Sequence, residues 1–113
     1  MKHLLFIIIL FSLSGCSGWK DDKPADLIPE EQMVDILADI HIADAVVENK
    51  YGMQKSDLPL TNALYTQIYK NHSITAARYK SSYKYYEAHP DQMDKIYTQV
   101  ITELSKKEAL LNK

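Results

Sequence analysis

Two side chains near the middle of the chain, His41 and Asp44, have types and a spacing that suit acid–base or metal chemistry. Residues three apart lie on the same side of a helix, so this imidazole and carboxylate can touch. With about 100° per residue, Asp44 falls inside the apolar stripe of its helix and His41 at the edge of that stripe. A carboxylate that faces a core must be paired or protonated.

The His41–Asp44 pair therefore has two interpretations. One is an acid–base pair or two metal ligands. The other, which we favour, is a structural network in which Asp44 accepts a hydrogen bond from a tyrosine of the third or fourth helix. A metal site needs three or four ligands. Apart from His3 in the N-terminal segment, the remaining histidines are His72 and His89, which lie at separate helix ends. We therefore predict no metal site.

Catalytic motifs are missing from the sequence. It has no glycine-rich phosphate loop, no G-x-S-x-G elbow and no H-E-x-x-H pair. Its serines and threonines have no base that the sequence places beside them. We therefore expect a protein that is not an enzyme and that uses no cofactor.

Tyrosines cluster in the third predicted helix. Tyr79, Tyr83 and Tyr86 share its inward face, where each hydroxyl needs a hydrogen-bond partner. These three are candidates for a polar core or for ligand contacts. Tyr85 points to another side of the helix and is the candidate for an exposed contact, since tyrosine is favoured at recognition surfaces.

The N-terminus predicts a lipoprotein. Leu4–Leu13 is a ten-residue apolar run after a short basic start, and it is too short to cross a membrane, which takes about 20 helical residues. Leu13–Cys16 resembles a lipobox, so we predict that residues 1–15 are a signal peptide and that Cys16 is lipidated. An ordinary secreted protein and a noncleaved anchor are the alternatives.

The segment 16–28 is predicted to be a flexible tether that joins the lipid to a domain over residues 29–113. Ser17 is not Asp, so the inner-membrane retention signal of some bacterial lipoproteins is absent. Lys20–Asp22 resembles an acidic surface-export signal, with a solvated linker as the alternative. We expect an outer membrane lipoprotein and leave open whether it faces the periplasm or the cell surface.

Charge and cysteine content argue against a nucleic-acid binder and against a fold held by an internal disulfide. The chain has 13 basic and 15 acidic residues, and removal of Lys2 with the signal peptide leaves 12 against 15, a net charge near −3. A nucleic-acid binder needs a basic surface, so we expect no nucleic-acid partner. Cys16 is the sole cysteine, so no internal disulfide can form.

Four helices are predicted and no strand, because the apolar residues recur at helical spacing. The boundaries follow Pro and capping signals: about Pro29–Asn49, about Leu60–Asn71, a third helix opened by Thr75 and stopped at His89–Pro90, and a fourth that begins at Pro90. The inward residues are Met33, Ile36, Leu37, Ile40 and Val47; Leu60, Leu64 and Ile68; and Met93, Ile96, Tyr97, Val100, Leu104 and Leu111. We therefore predict an all-α fold, a small bundle of about four amphipathic helices.

Two segments resemble a family of small Bacteroidetes lipoproteins known as domain of unknown function 4296. They are residues 33–45 (MVDILADIHIADA) and the spaced pattern of Ser82, Tyr85, Tyr86, His89, Pro90, Met93, Ile96, Tyr97, Val100 and Ile101. One departure is Ser73, where the family pattern predicts Gly. The resemblance implies a lipid-anchored helical domain of the envelope and transfers no catalytic residue.

The leading hypothesis from the sequence is a noncatalytic module that binds another envelope protein or takes part in assembly. The membrane would be its second partner, through the lipid on Cys16. The alternative is a small-ligand or metal-binding domain that uses His41 and Asp44.

Overall fold

The folded part of the chain consists of four helices. The computed structural model describes residues 23–51 and 58–113. Within those ranges the chain forms α1 (Glu30–Tyr51), α2 (Leu58–Asn71), α3 (Ala76–Glu87) and α4 (Pro90–Leu111), with no strand. The all-α prediction is thereby confirmed. None of the described helices combines the length and apolar character that a membrane crossing requires.

The helix starts follow local chemistry. Glu30 and Glu31 occupy the first turn of α1, where acidic side chains complement the helix dipole. Thr75 caps α3, because its hydroxyl oxygen accepts a 3.1 Å hydrogen bond from the Arg78 amide. Pro90 begins α4 at the position where its missing N–H costs nothing.

The turn between α2 and α3 places Ser73 in the left-handed region, with φ of 55°. The Ser73 amide donates to the Lys70 carbonyl at 3.1 Å, and the Ile74 amide donates to the Tyr69 carbonyl at 2.9 Å. This pair of bonds is a Schellman motif, in which glycine is the usual left-handed residue. The turn therefore has the geometry that the family pattern predicts, with serine in place of glycine.

The helices close a ring around one core. α1 packs against α2 and α4, and α3 also packs against α2 and α4. The core confirms most of the predicted apolar stripe: Met33, Ile36, Leu37, Ile40, Val47, Ile68, Met93, Ile96 and Val100 are buried. Leu111, the last residue of α4, is the exception and is 86% exposed.

The N-terminal edge of the domain lies earlier than predicted. Ile28, assigned from the sequence to the tether, is fully buried in the core, and Leu27 packs against that core. The correction arises because an apolar pair before a proline can pack without belonging to a helix. The predicted signal peptide, Cys16 and the tether up to residue 22 lie outside the described residues.

Candidate functional site

His41 and Asp44 are both exposed, which corrects the prediction that Asp44 faces the core. They make no hydrogen bond or ion pair with each other. The His41 ring instead packs edge-on against Tyr97 of α4, with 6.1 Å between ring centroids. The physical reason is that this C-terminal part of α1 has neighbours on only part of its circumference, so a position inside the apolar stripe is still open to solvent.

Asp44 does accept a hydrogen bond from a tyrosine hydroxyl. The donor is Tyr65 of α2, at 2.6 Å from the Asp44 Oδ1 atom, whereas the sequence predicted a donor in the third or fourth helix. This length is typical of a hydroxyl bonded to an ionised carboxylate. Burial, followed by the bond to Asp44, raises the pKa of Tyr65 well above its usual value. The pair ties α1 to α2.

The structure brings no third metal ligand to His41 and Asp44. Across residues 23–51 and 58–113 there is no group of three histidine, cysteine, aspartate or glutamate side chains that could hold a metal ion. The two side chains contact tyrosines of different helices instead, so each helps to join elements of the bundle.

A second polar group, which sequence reasoning missed, joins α1, α4 and the end of α2. Asp39 Oδ2 lies 2.8 Å from His72 Nε2, and Asp39 Oδ1 accepts a 2.9 Å hydrogen bond from Lys107 Nζ. Since an ionised carboxylate only accepts, the His72 Nε2 atom carries the proton of this bond. His72 was placed at a helix end from the sequence, but nothing there indicated Asp39 as its partner.

Two opposing effects set the pKa of Asp39. Partial burial raises it, while the hydrogen bonds and charges of His72 and Lys107 lower it. The lowering effects prevail, so the pKa of the Asp39 carboxyl lies below its ordinary value. Asp39 is therefore ionised at neutral pH and acts as a tie within the bundle.

The inward tyrosines of α3 occupy the predicted face, with different depths. Tyr86 is 2% exposed, and Tyr79 and Tyr83 are half-buried beside the core. The rings of Tyr79 and Tyr83 lie 5.9 Å apart, and the Tyr79 ring lies 5.3 Å from Tyr69 of α2. Burial raises the pKa of Tyr79 well above its usual value. These side chains pack α3 against its neighbours.

Tyr85 is buried, with 8% of its surface exposed, which corrects its prediction as an exposed contact. Its ring stacks on His89 with 4.0 Å between centroids and meets Tyr86 edge-on at 5.5 Å. The helical wheel of α3 could not show that the chain before α1 also approaches this side, where Pro24 and Tyr85 line the same depression.

The segment before α1 is clamped to α3 by two buried hydrogen bonds and one exposed hydrogen bond. The Ile28 amide donates to Ser82 Oγ at 3.0 Å, and the Tyr86 hydroxyl donates to the Ile28 carbonyl at 2.6 Å. Arg78 Nε donates to the Asp26 carbonyl at 2.7 Å. Ser82 is fully buried, and its small side chain lets the segment approach the helix. The clamp thus makes residues 26–28 part of the folded domain.

A groove between α2 and α3, which we call the tyrosine groove, has a volume of about 480 Å³. Its lining residues come from one face of α2 and the start of α3: Asn62, Tyr65, Thr66, Tyr69, Lys70, Ile74, Ala76 and Lys80. The α2 members recur every three or four residues, as one helix face does. A concave site with aromatic walls and a few polar groups is typical of ligand and peptide binding.

The charges in the tyrosine groove have one sign. Lys70 and Lys80 are exposed and line it, and among the residues that the structure describes no acidic side chain does. Within the described ranges, neither lysine makes an ion pair. The Tyr69 ring is half-buried beside the core and meets the Tyr65 ring edge-on at 6.3 Å. The groove therefore combines aromatic surface with two unpaired cations.

The sequence held a signal for this groove. Asn62, Tyr65, Thr66, Tyr69 and Lys70 follow helical spacing beside the predicted inward stripe of α2. Considered together, they describe a half-exposed aromatic face with a terminal cation. No sequence signal indicated that α3 supplies the other wall of the groove. Which face of α3 lies there depends on how the turn at Ser73 orients α3 against α2.

Comparison with known proteins identifies a family. Residues 24–109 match the family described as Domain of unknown function (DUF4296). The matched region begins at the clamped segment and ends near the C-terminus of α4. Comparison with curated proteins and with solved structures gives no match. The extent of the family match shows that the chain belongs to the DUF4296 family.

Proposed function

We propose that this protein is a lipid-anchored outer membrane lipoprotein whose helical domain binds another envelope protein without catalysing a reaction. The observation that carries the binding role is the tyrosine groove, in which Lys70 and Lys80 have no ionic partner within the described residues. Two carboxylates of the bundle, in contrast, are bonded internally: Asp39 to His72 and Lys107, and Asp44 to Tyr65.

The chemistry of the groove suits recognition. Tyrosine is enriched where proteins meet, because its ring provides contact area and its hydroxyl a hydrogen bond. Exposed lysines add electrostatic complementarity to an acidic partner. The lining residues within 23–51 and 58–113 include no histidine, cysteine or carboxylate that could activate a nucleophile. Its amide and hydroxyl groups at Asn62 and Thr66 provide further hydrogen bonds to a partner.

The lipid anchor is supported by the residue pattern at Cys16 and by the place where the domain begins. The Leu27 amide donates to the Pro24 carbonyl just before the clamp, so seven residues, 17–23, separate the lipidated position from this turn. Fully extended, they span roughly 25 Å. A tether of this length holds the domain beside the membrane, where its partner would be another envelope protein.

Photo-crosslinking in the producing bacterium tests the binding role. A photoreactive amino acid is placed at Thr66, which is exposed within the groove, in the full-length protein. The matched control carries it at Ser105, exposed on α4. We expect one discrete protein adduct from position 66 and none from position 105. Absence of an adduct at 66, or identical adducts at both positions, would contradict the proposal.

Protease treatment of intact cells, followed by detection of this protein, decides which face of the outer membrane the partner occupies. Degradation in intact cells indicates surface display, and protection until the outer membrane is permeabilised indicates the periplasmic face. Recovery of the protein in the soluble fraction would contradict a membrane-anchored role.

A further inference from the structure

The tyrosine groove has two lysines in its lining and a carboxylate bonded to its Tyr65, and this distribution of charge indicates the chemistry of its occupant. We infer that the groove binds a short acidic peptide segment of the partner, with carboxylates held by Lys70 and Lys80. The inference rests on the proposed function, since it names the kind of segment that such a protein-binding domain would recognise.

One end of the groove is positive. Lys70 is in the last turn of α2, Lys80 lies on α3, and Ala76 is the first residue of α3. The amino end of a helix carries partial positive charge from its unpaired N–H groups. Thr75 accepts from the Arg78 amide and caps this helix end. The lysines and the helix end together favour an anion.

The other end of the groove is different. The hydroxyl of Tyr65 is bonded to the Asp44 carboxylate at 2.6 Å, which places a negative charge beyond this end. An acidic side chain there would be repelled by Asp44. The favourable place for carboxylates is therefore between Lys70 and Lys80, with the less acidic part of the segment along Tyr65.

A peptide fits the groove better than an isolated anion does. From Asn62 to Lys70 the helix rises by about 12 Å, which equals about four residues of extended chain at about 3.3 Å each. Along this length the lining alternates aromatic rings with the side chains of Thr66 and Asn62. These groups contact apolar and hydrogen-bonding parts of a chain, which a small anion lacks.

The protein as a whole is acidic, with a formal charge of −2. The rest of the surface therefore offers an acidic segment no net attraction, so the two lysines of the groove favour one binding position. Binding should weaken as salt is added, because salt screens the attraction between exposed charges. At physiological ionic strength this screening acts over a length of about 8 Å.

Selection from a phage-displayed library of random heptapeptides tests the inference, with the full-length protein held in detergent micelles. We expect enrichment of Asp and Glu among peptides that bind the unaltered protein. The charge-reversed variant Lys70→Glu/Lys80→Glu should bind the best selected peptide at least tenfold more weakly. The neutral variant Lys70→Gln/Lys80→Gln should show a smaller loss of affinity for the same peptide. It tests the same lysines if charge reversal disturbs folding.

The control Lys84→Glu/Lys113→Glu changes the net charge equally outside the groove and should keep the unaltered affinity. Binders with no acidic enrichment, or equal loss in the groove variant and the control, would overturn the inference. The proposed function is tested separately. If the Thr66 adduct persists in cells that produce Lys70→Glu/Lys80→Glu, the protein-binding role stands and only the acidic segment is contradicted. Loss of that adduct supports the acidic segment.

Discussion

The hydroxyl of Tyr86 donates a 2.6 Å hydrogen bond to the carbonyl oxygen of Ile28, which lies 58 residues earlier in the chain. The Ile28 amide is held by Ser82, one turn before Tyr86 on the same helix. Both polar groups of the Ile28 backbone are thus satisfied by α3, and the side chain of Ile28 fills the core. This relationship makes Ile28 part of the folded domain.

The first prediction concerns this clamp. Tyr86→Phe leaves the buried Ile28 carbonyl without its donor, and Ser82→Ala leaves the Ile28 amide without its acceptor. Each change should lower the free energy of unfolding by about 1–3 kcal/mol, the cost of an unpaired buried polar group. Urea denaturation followed by circular dichroism measures the change.

Ser105→Ala is the matched control, because the exposed Ser105 hydroxyl bonds only to the Ile101 carbonyl of its own helix. It should change stability by less than about 0.5 kcal/mol. If Tyr86→Phe and Ser82→Ala are as mild as this control, the clamp contributes nothing to stability.

The second prediction uses the lowered pKa of Asp39. A carboxyl whose pKa is lower in the folded state stabilises the fold above its unfolded pKa and loses that contribution as the pH falls through the folded value. Asp39→Asn should therefore cost about 1 kcal/mol at pH 7, as expected for a partly exposed ion pair. The loss of stability caused by Asp39→Asn should shrink below pH 3.8, which is the ordinary pKa of this carboxyl group.

Urea denaturation of both proteins between about pH 2 and pH 7 measures this dependence. Asp35→Asn on the same helix is the control, because Asp35 is exposed and its replacement should leave stability nearly unchanged at every pH. A deficit of Asp39→Asn that stays constant down to the lowest pH would refute the role assigned to the ionised carboxylate.

The third prediction concerns Ser73. A residue with a Cβ atom in the left-handed region costs roughly 1 kcal/mol relative to glycine, so Ser73→Gly should raise the free energy of unfolding by about 0.5–1 kcal/mol. Ser73→Ala keeps the Cβ atom and should give no gain. Thermal denaturation of the two variants distinguishes them, and an equal response would show that the left-handed backbone is not the cause.

The fourth prediction concerns alkaline pH. The adjacent Tyr83 hydroxyl, together with burial, raises the pKa of Tyr97 to about 12. A raised folded pKa stabilises the fold below the unfolded pKa of about 10, and this contribution is lost as the pH rises through 12. Stability should therefore decline over this interval.

Tyr83→Phe should bring the pKa of Tyr97 closer to its ordinary value, because the largest cause of the shift is removed. Carbon-13 NMR of the tyrosine ring carbons measures the titration directly. Tyr69→Phe serves as the control, since Tyr69 does not contribute to the shift of Tyr97, and it should leave that titration in place. An unchanged Tyr97 pKa in Tyr83→Phe would contradict this assignment.

Much of the architecture could be predicted from the sequence, because helix signals are local. Thr75, Pro90 and the stripe around Ile36 specify where helices begin and which sides are buried, through spacing alone. The side chain of Asp44 shows the limit. Its tyrosine partner was predicted by type, but the helix that supplies it depends on the packing of α1 against α2.

The remaining features depend on contacts between residues far apart in the chain. Asp39 meets Lys107 across 68 positions, and no periodicity encodes such a pairing. Tyr85 is buried, although its helical wheel position away from the other inward tyrosines suggested exposure. A wheel describes one helix at a time and does not show which non-helical segment lies over it.

The central claim is that a lipid on Cys16 holds this domain at the membrane, and the mass of the protein extracted from membranes tests it most directly. The account predicts a chain that begins at Cys16 and carries a diacylglyceryl modification, together with release of a Cys16→Ala variant from the membrane fraction. A Cys16→Ala variant with the same added mass and the same membrane attachment as the unaltered protein would contradict the account.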